Sequence, residues 1–174
     1  MLFRSTGIVT TALKGGVADE SSVEPVARSM IALNKMASEL MVDAGVNACT
    51  DVTGFGLLGH ARGMVDKNRA GMEIRFSDVP VFEGVQGFAE MGLVPGGTRR
   101  NMEFHRGAVE LDSNISEESL DILFDAQTSG GLLISIPSEK AESLLKSLHE
   151  NGIESAAIIG EIVDEPRGKI VVRG

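Results

Sequence analysis

Apolar residues recur at two spacings along this chain, and the alternation between them predicts its elements. Between Ser21 and Gly45 the period is helical: Val26, Met30, Leu33, Ala37 and Leu40 fall on one face of what reads as a single long helix. Ser21 and Glu24 have the spacing of a capping box, Pro25 is tolerable in the first turn, and Gly45 supplies a stop. The period returns in "FGLLGHARGMVDKN", where Leu57, Leu58, Ala61, Met64 and Val65 form the stripe and Lys67 suits the negative helix end. Two further helices are predicted, "SEESLDILFD" capped by Ser116 and "EKAESLLKSLHENG" capped by Ser138 and stopped by Gly152.

The strand-like runs are shorter. "STGIVTTALKGG" is β-branched and alternating, which predicts a strand ending in a turn at Gly15 and Gly16. "GMEIRFSDVPVF" places Met72, Ile74 and Phe76 on one side, and "GGLLISIP" reads as a short buried strand. "SAAIIGEIVD" and "KIVVR" are two strand-like runs that "EPRG" would join as a hairpin. Residues 83–101 hold a short helix and a glycine-rich loop, "MGLVPGGTRRN". With no repeat, low-complexity tract or linker, the chain reads as one mixed α+β domain.

Composition narrows the classes of function. A chain of 174 residues, 43% hydrophobic and 24% charged, fits one globular domain with a proper core. A formal net charge of −9 argues against nucleic acid or an anionic membrane as partner. The absence of Trp and Tyr leaves few stacking platforms for single strands. No run of apolar residues is long enough to span a bilayer, and the first 20 residues lack the apolar core of a secretory signal. A single cysteine, Cys49, excludes an internal disulfide framework and fits a reducing cytoplasm.

Within that acidic domain, "ACTDVTGFGLLGHA" (residues 48–61) carries the most pointed chemistry. Asp51 lies where a helix is about to begin. One reading is a cap on free helix N–H groups; the other is a ligand for magnesium, which is often held by one or two carboxylates together with substrate phosphates. No Lys or Arg lies between Asn47 and Ala61. A phosphate about 4 Å from Asp51 would be repelled by roughly 4 kcal/mol at an effective dielectric of about 20, so the two can share a site only across a cation. Asp51 alone cannot complete such a site. Gly54 and Gly56 permit either a close ligand approach or a tight turn, and no Gly-Lys-Ser/Thr of a P-loop follows.

The second unusual stretch is "DAQTSGGLL", residues 125–133. Gln127, Thr128 and Ser129 fit a polar turn entering a strand, or a loop packed against the Asp51 segment. Cys49 has no nearby cation to activate it. His60, His105 and His149 lack metal spacing, and a surface or packing role is expected of His60.

Together these two stretches resemble the paired signatures of the C-terminal domain of selenophosphate synthetase (selenide, water dikinase). "TGIVTTALKGG" and "VPGGTRRN" fit in order and spacing, so the resemblance spans nearly the whole chain. The family is related to aminoimidazole ribonucleotide synthetase. The resemblance implies an α+β fold, a layered α/β/α domain with a mixed, largely antiparallel sheet. It implies an enzyme that makes selenophosphate, AMP and orthophosphate from ATP, selenide and water. By the same resemblance Asp51 is a magnesium ligand beside the ATP phosphates. Thr50, Thr53, Gly54 and Gly56 are assigned to the surrounding loop by adjacency, with Gln127, Thr128 and Ser129 supporting it.

The family's reactive Cys or selenocysteine, its essential Lys and further metal-binding aspartates belong to an N-terminal domain that this sequence does not contain. At the junction a Lys-Pro-Leu-Gly-Thr-Gly type of segment is replaced by "LFRSTG". The chain is therefore expected to be one half of a split site, with no catalytic residue of its own, inactive alone and partnered by the N-terminal domain within a homodimer. The alternatives are a non-catalytic nucleotide- or partner-binding module derived from the family, and a paralogous ATP-dependent synthetase.

Overall fold

A computed structural model describes residues 5–65 and 70–174. Lys67 and the first residues of "LFRSTG" lie outside that range. The elements are α1 (Thr6–Lys14), α2 (Glu20–Ile31), α3 (Lys35–Ala44), β1 (Ala48–Asp51), α4 (Gly56–Val65), β2 (Gly71–Arg75), α5 (Val85–Glu90), α6 (Gly96–His105), β3 (Val109–Leu111), α7 (Glu117–Leu123), β4 (Leu132–Ser135), α8 (Ser138–Glu150), β5 (Gly160–Val163) and β6 (Ile170–Arg173). The α+β expectation holds. Strands β1 and β4 form an antiparallel pair, and a mixed four-stranded sheet runs in the order β3-β6-β2-β5. Its β2–β5 ladder is antiparallel and its β2–β6 and β3–β6 ladders are parallel, so parallel pairing is more prominent than expected.

Two apolar cores organise these elements. The larger joins Ile8, Val52, Leu57, Leu58, Ile74, Phe124 and Ile170, so α1, α4 and α7 share it with the four-stranded sheet. The smaller gathers Ala37, Leu132, Leu144, Leu148 and Ala156 where α3, β4 and α8 meet. This division corrects the single long helix expected from Ser21 to Gly45. Met30 packs on the first core and Ala37 on the second, and the chain breaks between them at Ala32, whose backbone is extended. Ile31 and Leu33 at the break are 79% and 84% exposed. The apolar stripe is real, but its two halves aim at different cores.

Three local expectations fail. Asp19, not a Ser21–Glu24 box, caps α2 by accepting the Ser22 N–H at 2.9 Å, and Glu24 pairs with Arg28 instead. Ser138 opens α8 without a side-chain cap, whereas Ser116 does cap α7 through the Ser119 N–H. The hairpin expected of "SAAIIGEIVD" and "KIVVR" is spread apart, because β2 inserts between β5 and β6 and pairs with both.

The largest correction is at the N-terminal end. "TGIVTTALK" is helix α1, not a strand. Its first-turn amides have no partner within a helix, and distant side chains satisfy them. Gln127 Oε1 accepts the Thr6 N–H at 3.0 Å, and Asp125 Oδ2 accepts those of Gly7 and Ile8 at 2.9 and 3.0 Å. Burial of Ile8, Val9 and Ala12 then outweighs the β preference of the branched residues.

Candidate functional site

The two unusual stretches are interlocked. Asp51 is the last residue of β1 and stands opposite Leu132 in β4. Beyond the ladder, the Val52 N–H donates to Gly131 O at 2.8 Å, the Gly130 N–H to Val52 O at 2.9 Å, and the Gln127 N–H to Thr53 O at 3.0 Å. The 125–131 loop thus packs on the Asp51 segment, and the simple polar-turn reading gives way. Gly130 is required by this approach, since a Cβ there would meet Val52 O at 2.8 Å.

Asp51 itself does not cap α4, which starts five residues later. Its carboxylate is exposed and makes no hydrogen bond or ion pair among the described residues. On either side of it, Thr50 and Thr53 turn towards His60 in the second turn of α4. The Thr53 N–H donates to His60 Nε2 at 3.0 Å, the Thr53 hydroxyl lies 3.1 Å from the same nitrogen, and Thr50 Oγ1 is 3.4 Å from Nδ1. Burial holds the His60 pKa below its ordinary value, and the negative charge of Asp51 only partly opposes this.

The two loop glycines differ. Gly56 has φ +70° and lies against the Phe124 backbone, where a Cβ would come within 2.5 Å of the carbonyl. Gly54 faces open space. Of the pair, the fold needs Gly56, while Gly54 leaves room beside the loop.

A third arm comes from "GGTRRN", which opens α6 and does not form the expected loop. Asn101 Nδ2 donates to Gly54 O at 2.7 Å and to Phe124 O at 3.2 Å. The Thr98 hydroxyl donates to Asp125 Oδ1 at 2.9 Å and accepts the Ala126 N–H. Asp125 is therefore surrounded by donors and wholly buried. Burial pushes its carboxyl up to about 6, against the opposing hydrogen bonds from Ile8, Thr98, Gly7 and Gln127. The sequence reading singled out neither Asp125 nor Asn101. Only the adjacency of Asp125 to Gln127 hinted at the former.

Next to the loop lies an aromatic strip. Phe55, 59% exposed, has its ring centroid 5.6 Å from His60 and 6.1 Å from His105, and Phe104 lies 4.8 Å from His105. Gly59 makes room for this stack, since a Cβ there would strike that of Phe55. Cys49 is exposed, and its thiol is pushed up by burial of part of the group and by Asp51, which leaves it a poor nucleophile.

What this arrangement presents is a carboxylate with no partner among the described residues, on a loop braced from three directions. Among the described residues no cluster of three or more His, Cys, Asp or Glu could hold a metal. A lone carboxylate suits magnesium when phosphates or another part of the protein complete the shell.

Sequence and fold agree on the class. The family "AIR synthase related protein, C-terminal domain" matches residues 2–173, and the chain belongs to it. Among curated relatives, selenide, water dikinase of Pelobacter propionicus is 47% identical over 96% of this chain and 48% of its own length. Selenide, water dikinase of Caldanaerobacter subterraneus subsp. tengcongensis is 42% identical over the same shares. The chain thus spans about half the length of the curated relatives it matches. A solved structure of the hydrogenase maturation protein HypE in complex with ATP shares the fold, with a TM-score of 0.62 at 22% identity over 97% of this chain and 44% of that one.

Proposed function

We propose that this chain is the C-terminal half of a selenide, water dikinase and contributes Asp51 as a magnesium ligand to an ATP site. The complete enzyme would convert ATP, selenide and water into selenophosphate, AMP and orthophosphate. The observation that carries the reading is the contrast between the Asp51 carboxylate, without a hydrogen bond or ion pair among the described residues, and the backbone on its C-terminal side, which is tied to the 125–131 loop, His60 and Asn101. A carboxylate without partners among the described residues, on a loop braced by neighbouring segments, is poised for a cation, and in an acidic domain a phosphate can approach it only with one. The similarity to dikinases along the whole chain and the fold shared with an ATP-bound HypE support ATP as the nucleotide.

In this reading Thr50, Thr53 and Gly54 shape the loop beside the metal, Gly56 anchors it, and Gln127 braces it through Thr6 and Thr53. The remaining metal ligands and the nucleophile would come from an N-terminal domain of the same protein, in a homodimer in a reducing cytoplasm. In the full-length protein, Asp51→Asn should abolish selenide-dependent AMP release and leave folding intact. Wild-type turnover in that variant would remove the metal assignment.

A further inference from the structure

Asp51 is held from both sides by one residue that touches it on neither. Thr50 and Thr53 bracket the Asp51–Val52 pair, and both reach His60. A backbone N–H can only donate, so the Thr53 amide fixes His60 Nε2 as an unprotonated acceptor. The ring hydrogen must then sit on Nδ1, facing Thr50 Oγ1, which itself lies 3.3 Å from Asp51 O. Imidazolium is incompatible with this arrangement, since both ring nitrogens would donate.

The direction of the bond is the reverse of an ordinary N-cap. There a loop side chain accepts from a helix amide; here a side chain inside α4 accepts from a loop amide seven residues earlier. The reach resembles the return half of a capping box, in which a helix side chain satisfies the amide at the helix entrance. The Phe55 ring lies against the imidazole, tilted by 51° with its centroid 5.6 Å away, Gly59 leaves room for it, and His60 is half-buried.

We infer that His60, as the neutral Nδ1–H tautomer, is a positioning residue that sets the direction of the Asp51 carboxylate by gripping Thr50 and Thr53 together. The inference rests on the magnesium reading only for its consequence; the clamp itself stands on geometry. Loss of the grip frees the two residues that bracket the Asp51–Val52 pair, and the carboxylate then samples directions in which it cannot meet a cation.

The test uses the 174-residue chain and three variants. The terminal amide of Gln stands where Nε2 does, and that of Asn where Nδ1 does. His60→Gln should therefore keep the Thr53 amide protected from hydrogen exchange, while His60→Asn and His60→Ala should speed its exchange about tenfold. Nitrogen-15 spectra of the wild type should show an unprotonated Nε2 and a protonated Nδ1. Manganese alone then serves as a paramagnetic probe. Broadening of the Thr50–Gly54 amide signals should need about tenfold more Mn2+ in His60→Ala than in wild type or His60→Gln. Equal exchange at Thr53 in all variants, or an Nε2–H tautomer, overturns the clamp. Equal Mn2+ response in wild type and His60→Ala, with loss in Asp51→Asn, overturns its positioning role and leaves the metal assignment standing. Equal response in wild type and Asp51→Asn shows that Mn2+ is not held at Asp51 in this half and overturns the positioning role, and the exchange order of Gln against Asn still decides the clamp.

Discussion

Two aspartates in this domain lie within reach of the same loop and live in opposite surroundings. Asp125 is wholly buried, accepts the Gly7 and Ile8 amides, the Thr98 hydroxyl and the Gln127 amide, and holds the start of α1. Asp51 is exposed at the end of β1 and has no such partner among the described residues. A buried carboxylate that accepts four hydrogen bonds belongs to the fold. One without a partner among the described residues, on a backbone braced by neighbouring segments, is available to a ligand. The aspartate that stabilises a helix start is thus not the one in the glycine-rich motif but the one in the second motif, and it serves a different helix.

The contrast predicts separable losses. The largest is functional: Asp51→Asn in the full-length protein should lower ATP turnover by at least about 100-fold. Its thermal midpoint should stay within about 2 °C, because an exposed, unpartnered side chain contributes little to stability. Parallel turnover and melting measurements check both halves. Next comes Asp125→Ala, which orphans the Gly7 and Ile8 amides and the Thr98 hydroxyl. It should destabilise the chain by about 3 kcal/mol, a fall of roughly 10 °C by calorimetry.

The pH dependence follows from the same residue. The folded-state carboxyl of Asp125 titrates near 6, above its unfolded value of 3.8, so the folded chain binds the extra proton between those values. Its contribution to stability is fully present below about 4 and is lost as pH rises through about 6, by an amount on the order of 3 kcal/mol. Chemical denaturation across that window should show this downward trend, and Asp125→Asn should flatten it. The smallest contrast is between the loop glycines. Gly56→Ala forces a Cβ onto the Phe124 backbone at a positive φ and should cost about 2 kcal/mol or more, whereas Gly54→Ala, facing open space, should change stability by less than about 1 kcal/mol.

Much of this was legible in the sequence, and the gaps have physical causes. The α4 stripe, the Ser116 cap, the Gly45 stop and the pairing of two motifs all follow from local pattern. The helical state of "TGIVTTALK" does not, because Asp125 and Gln127, more than a hundred residues away, supply the acceptors that its first turn needs. The break at Ala32 is invisible because one periodic stripe serves two cores. The split hairpin depends on β2 entering between β5 and β6, a pairing that their own residues do not announce. His60 reads as a packing histidine on a helical wheel, and only the position of Thr53 reveals its acceptor.

In the proposed function, Asp51 is one part of a metal site completed elsewhere in the protein. Calorimetric titration with magnesium–ATP tests it most directly, on this chain alone and again with a complementary N-terminal half supplied as a separate chain. The expected result is no tight binding by the chain alone, binding when the half is restored, and loss of that binding in Asp51→Asn. Tight binding by the chain alone, unchanged by Asp51→Asn, would contradict it and point to an independent nucleotide-binding module.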